Sequence, residues 1–337
     1  MRAIVQDRYG PPGEVLALKE IDRPAPGPGE VLVRVRASSV NTPDWIAITG
    51  VPYVLRFQGR VRSGSNVVRG TDVAGVVEEL GPEGADRGIG DRVFGSLWTS
   101  TFVTAGAFAE FAVVPAERLA PIPAGVGFEE AAASVMSGVT ALCAMRDTVQ
   151  VHEGMKVLVN GASGGVGTFA VQLAAHFGAE VTGVCGTANA AMVRDLGAHH
   201  VIDYTRTDFT KGSERYDVVL DNVLNHPPRR TARVLAPGGV LIPNSVGNSG
   251  GLLAGLGRMA SARMLGSLGR ADVRFSPSEA NRENLTAVSE LLASGVIKAV
   301  IDRVYPLQET AQAVAHMLGH HARGNIVISV AKGPRTP

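Results

Sequence analysis

The chain has little cysteine: Cys143 and Cys185 are the only two in 337 residues. That is too few for a disulfide framework or for a zinc site of four thiolates, and both are expected to be small packed residues. It has no charge of one sign in excess. Lysine and arginine number 32 against 31 aspartates and glutamates, a net charge of +1, and no basic stripe or polybasic anchor is present to bind a phosphate backbone or an anionic membrane. Nucleic acid and membranes are therefore not expected as partners. Long apolar runs are missing too: the start reads MRAIVQDRYG, and nowhere do roughly 18 apolar residues stand together. A soluble, cytoplasmic protein is expected. What is abundant is glycine, 41 residues beside 19 prolines, spread along the chain in a way that suits tight turns better than disorder. The length predicts about two domains.

Polar and apolar residues alternate in Arg2 to Gln6 and in Glu30 to Val40, with the turn Pro24 to Gly29 between them, so the chain starts with β-structure. Short strands follow at Asp72 to Glu79, Arg92 to Phe94 and Ala109 to Val114, spaced as in a small barrel or two packed sheets. After Pro121-Ile-Pro123 the pattern changes. A helix over Phe128 to Asp147 leads into strands at Lys156, Val181 to Val184, Val201-Ile202, Val218 to Leu220 and Gly239 to Ile242, with helices around Ala188 to Leu196 and Arg229 to Leu235. Strands that are apolar throughout fit a parallel sheet covered on both faces, hence an α/β class. From Ser276 the spacing predicts a helix over Asn281 to Ala293, a strand over Ile301 to Tyr305, a helix over Thr310 to Leu318 and a last strand, Asn325 to Val330, that completes the first domain. The expected division is 1–122, 123–276 and a return segment, 277–337.

Gly161-Ala-Ser163-Gly164-Gly165-Val166-Gly167 lies between an apolar strand and a helix, the context of a dinucleotide fingerprint. Glycine lets the backbone approach a pyrophosphate, and the helix start stabilises its charge. The residues after the second strand, Cys185-Gly186-Thr187-Ala-Asn189, include no acid to accept from a ribose 2′-hydroxyl, which favours NADPH and leaves NADH open. No base stands at 186–191 either; Arg194 and Tyr204 are the candidates to approach the adenine ribose, although Arg194 also suits a solvated helix face.

These motifs, with LGAHHVIDY, DVVLDNV and the closing ARGNIVISV, resemble the medium-chain dehydrogenase/reductase superfamily, most of all its zinc-free quinone oxidoreductase branch. The resemblance covers nearly the whole chain. It implies a GroES-like β-rich catalytic domain, a Rossmann doubly wound parallel sheet, NADPH as cofactor, and often a homodimer. It also implies that zinc is absent, because Asn41 and Gly70-Thr-Asp72 stand where zinc-dependent members carry ligands. By the same resemblance Asn41, Asp44 and Thr140 line the nicotinamide and substrate site, and Ser163 to Gly167, Gly186, Thr187, Asn189, Arg194, Tyr204, Asn222 and Asn325 hold the cofactor. Two departures stand out. Ile46 replaces a tyrosine proton donor, and Leu224 replaces a glycine beside the nicotinamide. The implied reaction is hydride transfer to the β-carbon of an enone, enal or quinone, with Asn41, Thr140 or a ribose hydroxyl donating to the enolate and water supplying the last proton.

Plainer alternatives accompany each assignment. Asn41 also suits a turn, Asp44 a helix cap, and Thr140 a helix residue bonding its own backbone. His316 and His320, four apart beside His321, lack a third ligand and suit a solvated helix end; His199-His200 suits a surface turn. Leu252 to Arg270 is either a cationic lid over the substrate or an amphipathic helix packed on the second domain. A tailoring reductase of one biosynthetic intermediate, or a member that binds NADPH without catalysis, would carry the same cofactor motifs.

Overall fold

The computed structural model describes residues 1–51, 53, 56, 67–82, 86–98, 106–245, 256–319 and 322–330. It divides into two compact units, Met1–Met136 with Ala280–Pro337, and Ser137–Glu279. The first boundary thus falls later than residue 122, within the helix Phe128–Leu142, and the return begins at 280 rather than 277.

The first unit is built around the strand Glu30–Val40, which pairs antiparallel with Asp72–Leu80, Phe111–Pro115 and the final strand Asn325–Ser329. The final strand is therefore part of this unit's sheet. Val31, Val33, Val35 and Ala37 are buried along one face, while Arg34 points outward to Glu78, as a period of two dictates. The register against Asp72–Leu80 shifts between Val35 and Ala37, and bulges of this kind re-aim the residues that follow. Those residues are Ser38, Ser39 and Asn41. A strand the sequence did not announce, Leu16–Glu20, pairs with Arg2–Gln6 at a sheet edge, where four of its five residues are exposed and no apolar alternation survives.

The second unit is a parallel six-stranded sheet in the order His200–Asp203, Glu180–Cys185, Lys156–Asn160, Tyr216–Asp221, Leu235–Pro243, Asp272–Val273. Its order reverses between Lys156–Asn160 and Tyr216–Asp221, the switch point of a doubly wound α/β fold, where ligands bind beyond the carboxyl ends of the strands. Leu158, Val184, Phe209, Tyr216, Val219, Val234 and Leu241 pack on one face of the sheet, each fully buried side chain contributing about 1.5–3 kcal/mol. The expected helix over Phe128 to Asp147 is α-helical only to Leu142 and then widens over Cys143–Thr148. There the Thr148 hydroxyl donates to the Cys143 carbonyl at 3.0 Å, a side-chain bond that competes with the helical ladder.

Leu256–Ser267 is a helix with Ala262 and Leu265 buried and Met264 exposed. Its Arg258 donates to the Leu224 carbonyl, so this cation supports a loop of its own unit; Leu252 to Gly255 lie outside the described residues. His316 is held between Asp302 at 3.1 Å and the Tyr305 hydroxyl at 3.0 Å, a more ordered setting than a solvated helix end, while His320 and His321 are not among the described residues. Among the described residues no helix is long and apolar enough to cross a membrane.

Candidate active site

In the second unit, strand Lys156–Asn160 ends in a turn before the helix Gly165–His176. Gly161 and Ala162 donate to the Val184 carbonyl of the neighbouring strand at 3.1 and 3.0 Å, and Gly164 donates back to the Gly161 carbonyl at 3.1 Å. The helix cap is Gly164, without a side-chain hydrogen bond, and the first turn carries no acid. Amide N–H groups and the positive helix end are thus left for an anion. Two glycines are required here. Gly161 has φ of +77°, and a Cβ on Gly167 would lie 2.1 Å from the Gly161 carbonyl oxygen. Ser163, Gly164, Gly165, Val166 and Gly167 share this turn and helix start, whose donors suit an anionic group.

The next strand ends at Cys185, followed by Gly186 and a single 3₁₀ turn, Thr187–Asn189. No acid stands in that segment, but the fold supplies one from the neighbouring strand. Asp203 pairs in register with Cys185, and its carboxylate accepts from the Thr187 hydroxyl at 2.5 Å and the Thr205 hydroxyl at 2.7 Å. Those bonds, that of Thr187 foremost, hold the Asp203 carboxyl below its ordinary range. The parallel register was the only signal for it, and that is not local in sequence. Tyr204 donates its N–H to the Cys185 carbonyl at 3.1 Å and keeps an exposed ring close to Gly186. Arg194 is exposed near the end of the helix Ala190–Asp195.

Beyond strand Tyr216–Asp221 the chain turns sharply. One Asp221 carboxylate oxygen accepts from Asn160 Nδ2 at 2.7 Å, Val223 N–H at 3.2 Å and Leu224 N–H at 2.8 Å. Leu224 is fully buried with φ of +51°, a left-handed backbone for which glycine is the usual choice. Its side chain therefore packs inside the unit. Asn325 belongs to the last strand of the first unit, where its Nδ2 donates to the Val300 carbonyl at 3.2 Å.

In the first unit Asn41, Asp44, Thr71 and Asp72 form a buried polar cluster. Asp44 is the third residue of the helix Thr42–Thr49 and accepts from the Asn41 N–H at 2.8 Å, the return bond of a capping box. The Thr71 hydroxyl also donates to it, at 3.2 Å. Asp72 accepts at one oxygen from Ser39 Oγ at 2.7 Å, Asn41 Nδ2 at 2.7 Å and the Met136 N–H at 3.1 Å. Burial first, then the Asp72 charge, pushes Asp44 up to about 8; burial pushes Asp72 up to about 6 against its donors. Between those values the pair carries one proton and one negative charge.

This geometry corrects one expectation. Asn41 Nδ2 donates to Asp72 and, at 3.0 Å, to Ser39 Oγ, so its amide hydrogens are turned into the cluster and are not available to a substrate enolate. Asp44 is a cap, as its plainer alternative had it. Thr140 is buried on the helix Phe128–Leu142. The two thiols are also buried, and Cys143 is pushed up to about 11 chiefly by desolvation, which leaves it a poor nucleophile.

Comparison with known proteins gives the family. Residues 27–124 match the family described as alcohol dehydrogenase GroES-like domain, and residues 196–328 match the family described as zinc-binding dehydrogenase. A 2-haloacrylate reductase from a Burkholderia species is 30% identical over 97% of this chain and 98% of its own length. Among solved structures, the quinone oxidoreductase of Coxiella burnetii superposes with a TM-score of 0.85 at 26% identity, over 98% of this chain and 99% of that one. The Escherichia coli quinone oxidoreductase complexed with NADPH gives 0.81 at 27% identity, over 98% of this chain and all of the other. The chain therefore belongs to the medium-chain dehydrogenase/reductase superfamily and is an oxidoreductase.

Proposed function

We propose that this oxidoreductase is an NADPH-dependent, zinc-independent reductase of activated carbon–carbon double bonds or quinones. The observation that carries the reading is the turn from Asn160 to Gly167: Gly167 pressed against backbone, Gly161 at φ of +77°, a helix start with no side-chain cap and no acid in its first turn. That donor set suits a dinucleotide pyrophosphate. The reduced nicotinamide, when bound, supplies the hydride, and the protein supplies orientation and electrostatics.

The 2-haloacrylate reductase and the quinone oxidoreductases point to electron-poor alkenes and quinones as the substrate class. Hydride addition at the β-carbon moves negative charge onto the carbonyl oxygen, and the rate then depends on donors aimed at that oxygen. With Asn41 committed to Asp72, the Thr140 hydroxyl is the protein donor we assign, with water as the final proton source. Asn41 and Asp44 act one step back, by holding Thr71 and the start of helix Thr42–Thr49 in place.

The residues at the superfamily's zinc position do not fit the metal. Asn41 offers a carboxamide whose nitrogen is donating, Thr71 a hydroxyl that also donates, and only Asp72 a carboxylate, which already accepts three hydrogen bonds at one oxygen. Preference for NADPH rests on the lack of an acid between Cys185 and Asn189; Asp203, bonded to the Thr187 and Thr205 hydroxyls, keeps its negative charge and weighs toward NADH.

The test is NADPH and NADH consumption by chelator-dialysed protein over a panel of enals, enones, quinones and 2-haloacrylate. Turnover that survives the chelator and is faster with NADPH is expected. Activity that vanishes with chelator and returns with zinc would contradict the reading.

A further inference from the structure

Asp72 is the first residue of the strand Asp72–Leu80, and its side chain is closed off from solvent. Its backbone is held on both sides. The Ser38 hydroxyl donates to the Asp72 carbonyl at 2.5 Å, and Asp72 pairs in register with Ser96 of the strand Arg92–Ser96. The carboxylate thus starts from a fixed point.

One carboxylate oxygen takes three donors, each from a different element. Ser39 Oγ, at 2.7 Å, stands near the end of the strand Glu30–Val40, and Asn41 Nδ2, at 2.7 Å, belongs to the cap of the helix Thr42–Thr49. The third is the Met136 N–H, at 3.1 Å, inside the helix Phe128–Leu142. A buried carboxylate is a costly way to join three elements, because its charge must leave water and apolar contacts would hold the same pieces more cheaply. What it adds is direction. Charge-assisted bonds converging on one atom fix the placement of all three donors relative to one another.

The bond to Met136 is the one that reaches the chemistry. An N–H in mid-helix has a carbonyl four residues back as its ordinary partner, so a carboxylate there is an added tether to the neighbouring strand. Thr140 follows Met136 by four residues on this helix and therefore stands one turn further along the same side. The tether sets the height and the rotation of the helix at that turn. Both decide where the Thr140 hydroxyl comes to lie.

We propose that Asp72 is a positioning residue for the reduction: by tethering Met136 it sets where Thr140 presents its hydroxyl to the developing enolate. The inference rests on the assignment of Thr140 above and adds the residue that aims it. Asp72, being buried, acts only through that helix.

The test is a double-variant cycle on the intact protein with NADPH and an enone that the wild type turns over, read as kcat and, by titration, as NADPH affinity. Thr140→Val is expected to lower kcat about a hundredfold, the usual cost of one lost donor to a developing oxyanion. Asp72→Asn, which keeps an acceptor oxygen but loses the charge, is expected to lower kcat about tenfold through misplacement, with NADPH affinity unchanged. In the Thr140→Val background the same change is expected to add little, because the group it aims is already gone. A merely structural Asp72 would lower the active fraction by the same factor in both backgrounds. Ser39→Ala, which removes one donor and no charge, is expected to follow the same pattern more weakly, and it is read in the same way if Asp72→Asn does not fold. Equal fold-losses with and without Thr140→Val, or wild-type kcat in Asp72→Asn, would overturn the proposal. Wild-type kcat in Thr140→Val would overturn the donor assignment itself, a separate failure.

Discussion

Asp44 and Asp72 show how far a local motif understates a site. Asn41 and Asp44, three apart at a helix start, are legible as a cap; the Asp72 beneath them comes from another strand and turns a cap into a coupled acid pair. The coupling has a thermodynamic consequence. Both carboxyls have folded-state values above the 3.8 of an unhindered aspartate, so between about pH 4 and 8 the folded chain binds more protons than the unfolded one. Their contribution to stability is fully present at the acid end and is lost as pH rises through 6 for Asp72 and 8 for Asp44. Urea unfolding at pH 6 and pH 8.5 should therefore show wild-type protein losing more stability over that interval than Asp44→Asn, which retains an acceptor for the Asn41 N–H. Equal losses in the two proteins would show that Asp44 does not titrate in this range. Asp203 illustrates the same limit. Its presence beside Thr187 follows from parallel pairing with Cys185, and a window drawn along the sequence after the second strand cannot include it.

Elements were more legible than contacts, and for a physical reason. Strands buried on both faces, such as Lys156–Asn160 and Tyr216–Asp221, are apolar almost throughout, and helices between them keep a 3.6-residue period. Where packing is weaker the signal fades: Leu16–Glu20 is an exposed edge, and Asp272–Val273 is too short to show a period. Leu224 is a further case, since nothing local marks a buried leucine in a left-handed backbone; the Asp221 carboxylate and Arg258 impose it from outside. The glycine turn is where element and function meet. Gly167→Ala would drive a methyl group to 2.1 Å from the Gly161 carbonyl oxygen, forcing the helix start away from the turn. Overpacking of this kind costs about 1–3 kcal/mol, and NADPH affinity should fall more than tenfold as the cradle opens. Thermal unfolding and cofactor titration of that variant check the two effects; unchanged affinity would remove the turn from the binding site.

At the scale of the molecule, composition set broad limits and connectivity supplied the rest. Near-zero net charge and two cysteines set aside nucleic acid, anionic membranes and a disulfide framework as expectations, and the return of Asn325–Ser329 to pair with Glu30–Val40 shows that the first unit is assembled from both ends of the chain. The second unit, Ser137–Glu279, is continuous and sits between them in sequence. The central claim concerns which atom of the acceptor takes the hydride. The most direct measurement uses NADPH carrying deuterium at both positions of nicotinamide C4 and an enone that the enzyme turns over, with the product analysed by NMR. The account predicts one deuterium at the β-carbon and a retained carbonyl; deuterium on the carbinol carbon of an allylic alcohol would contradict it.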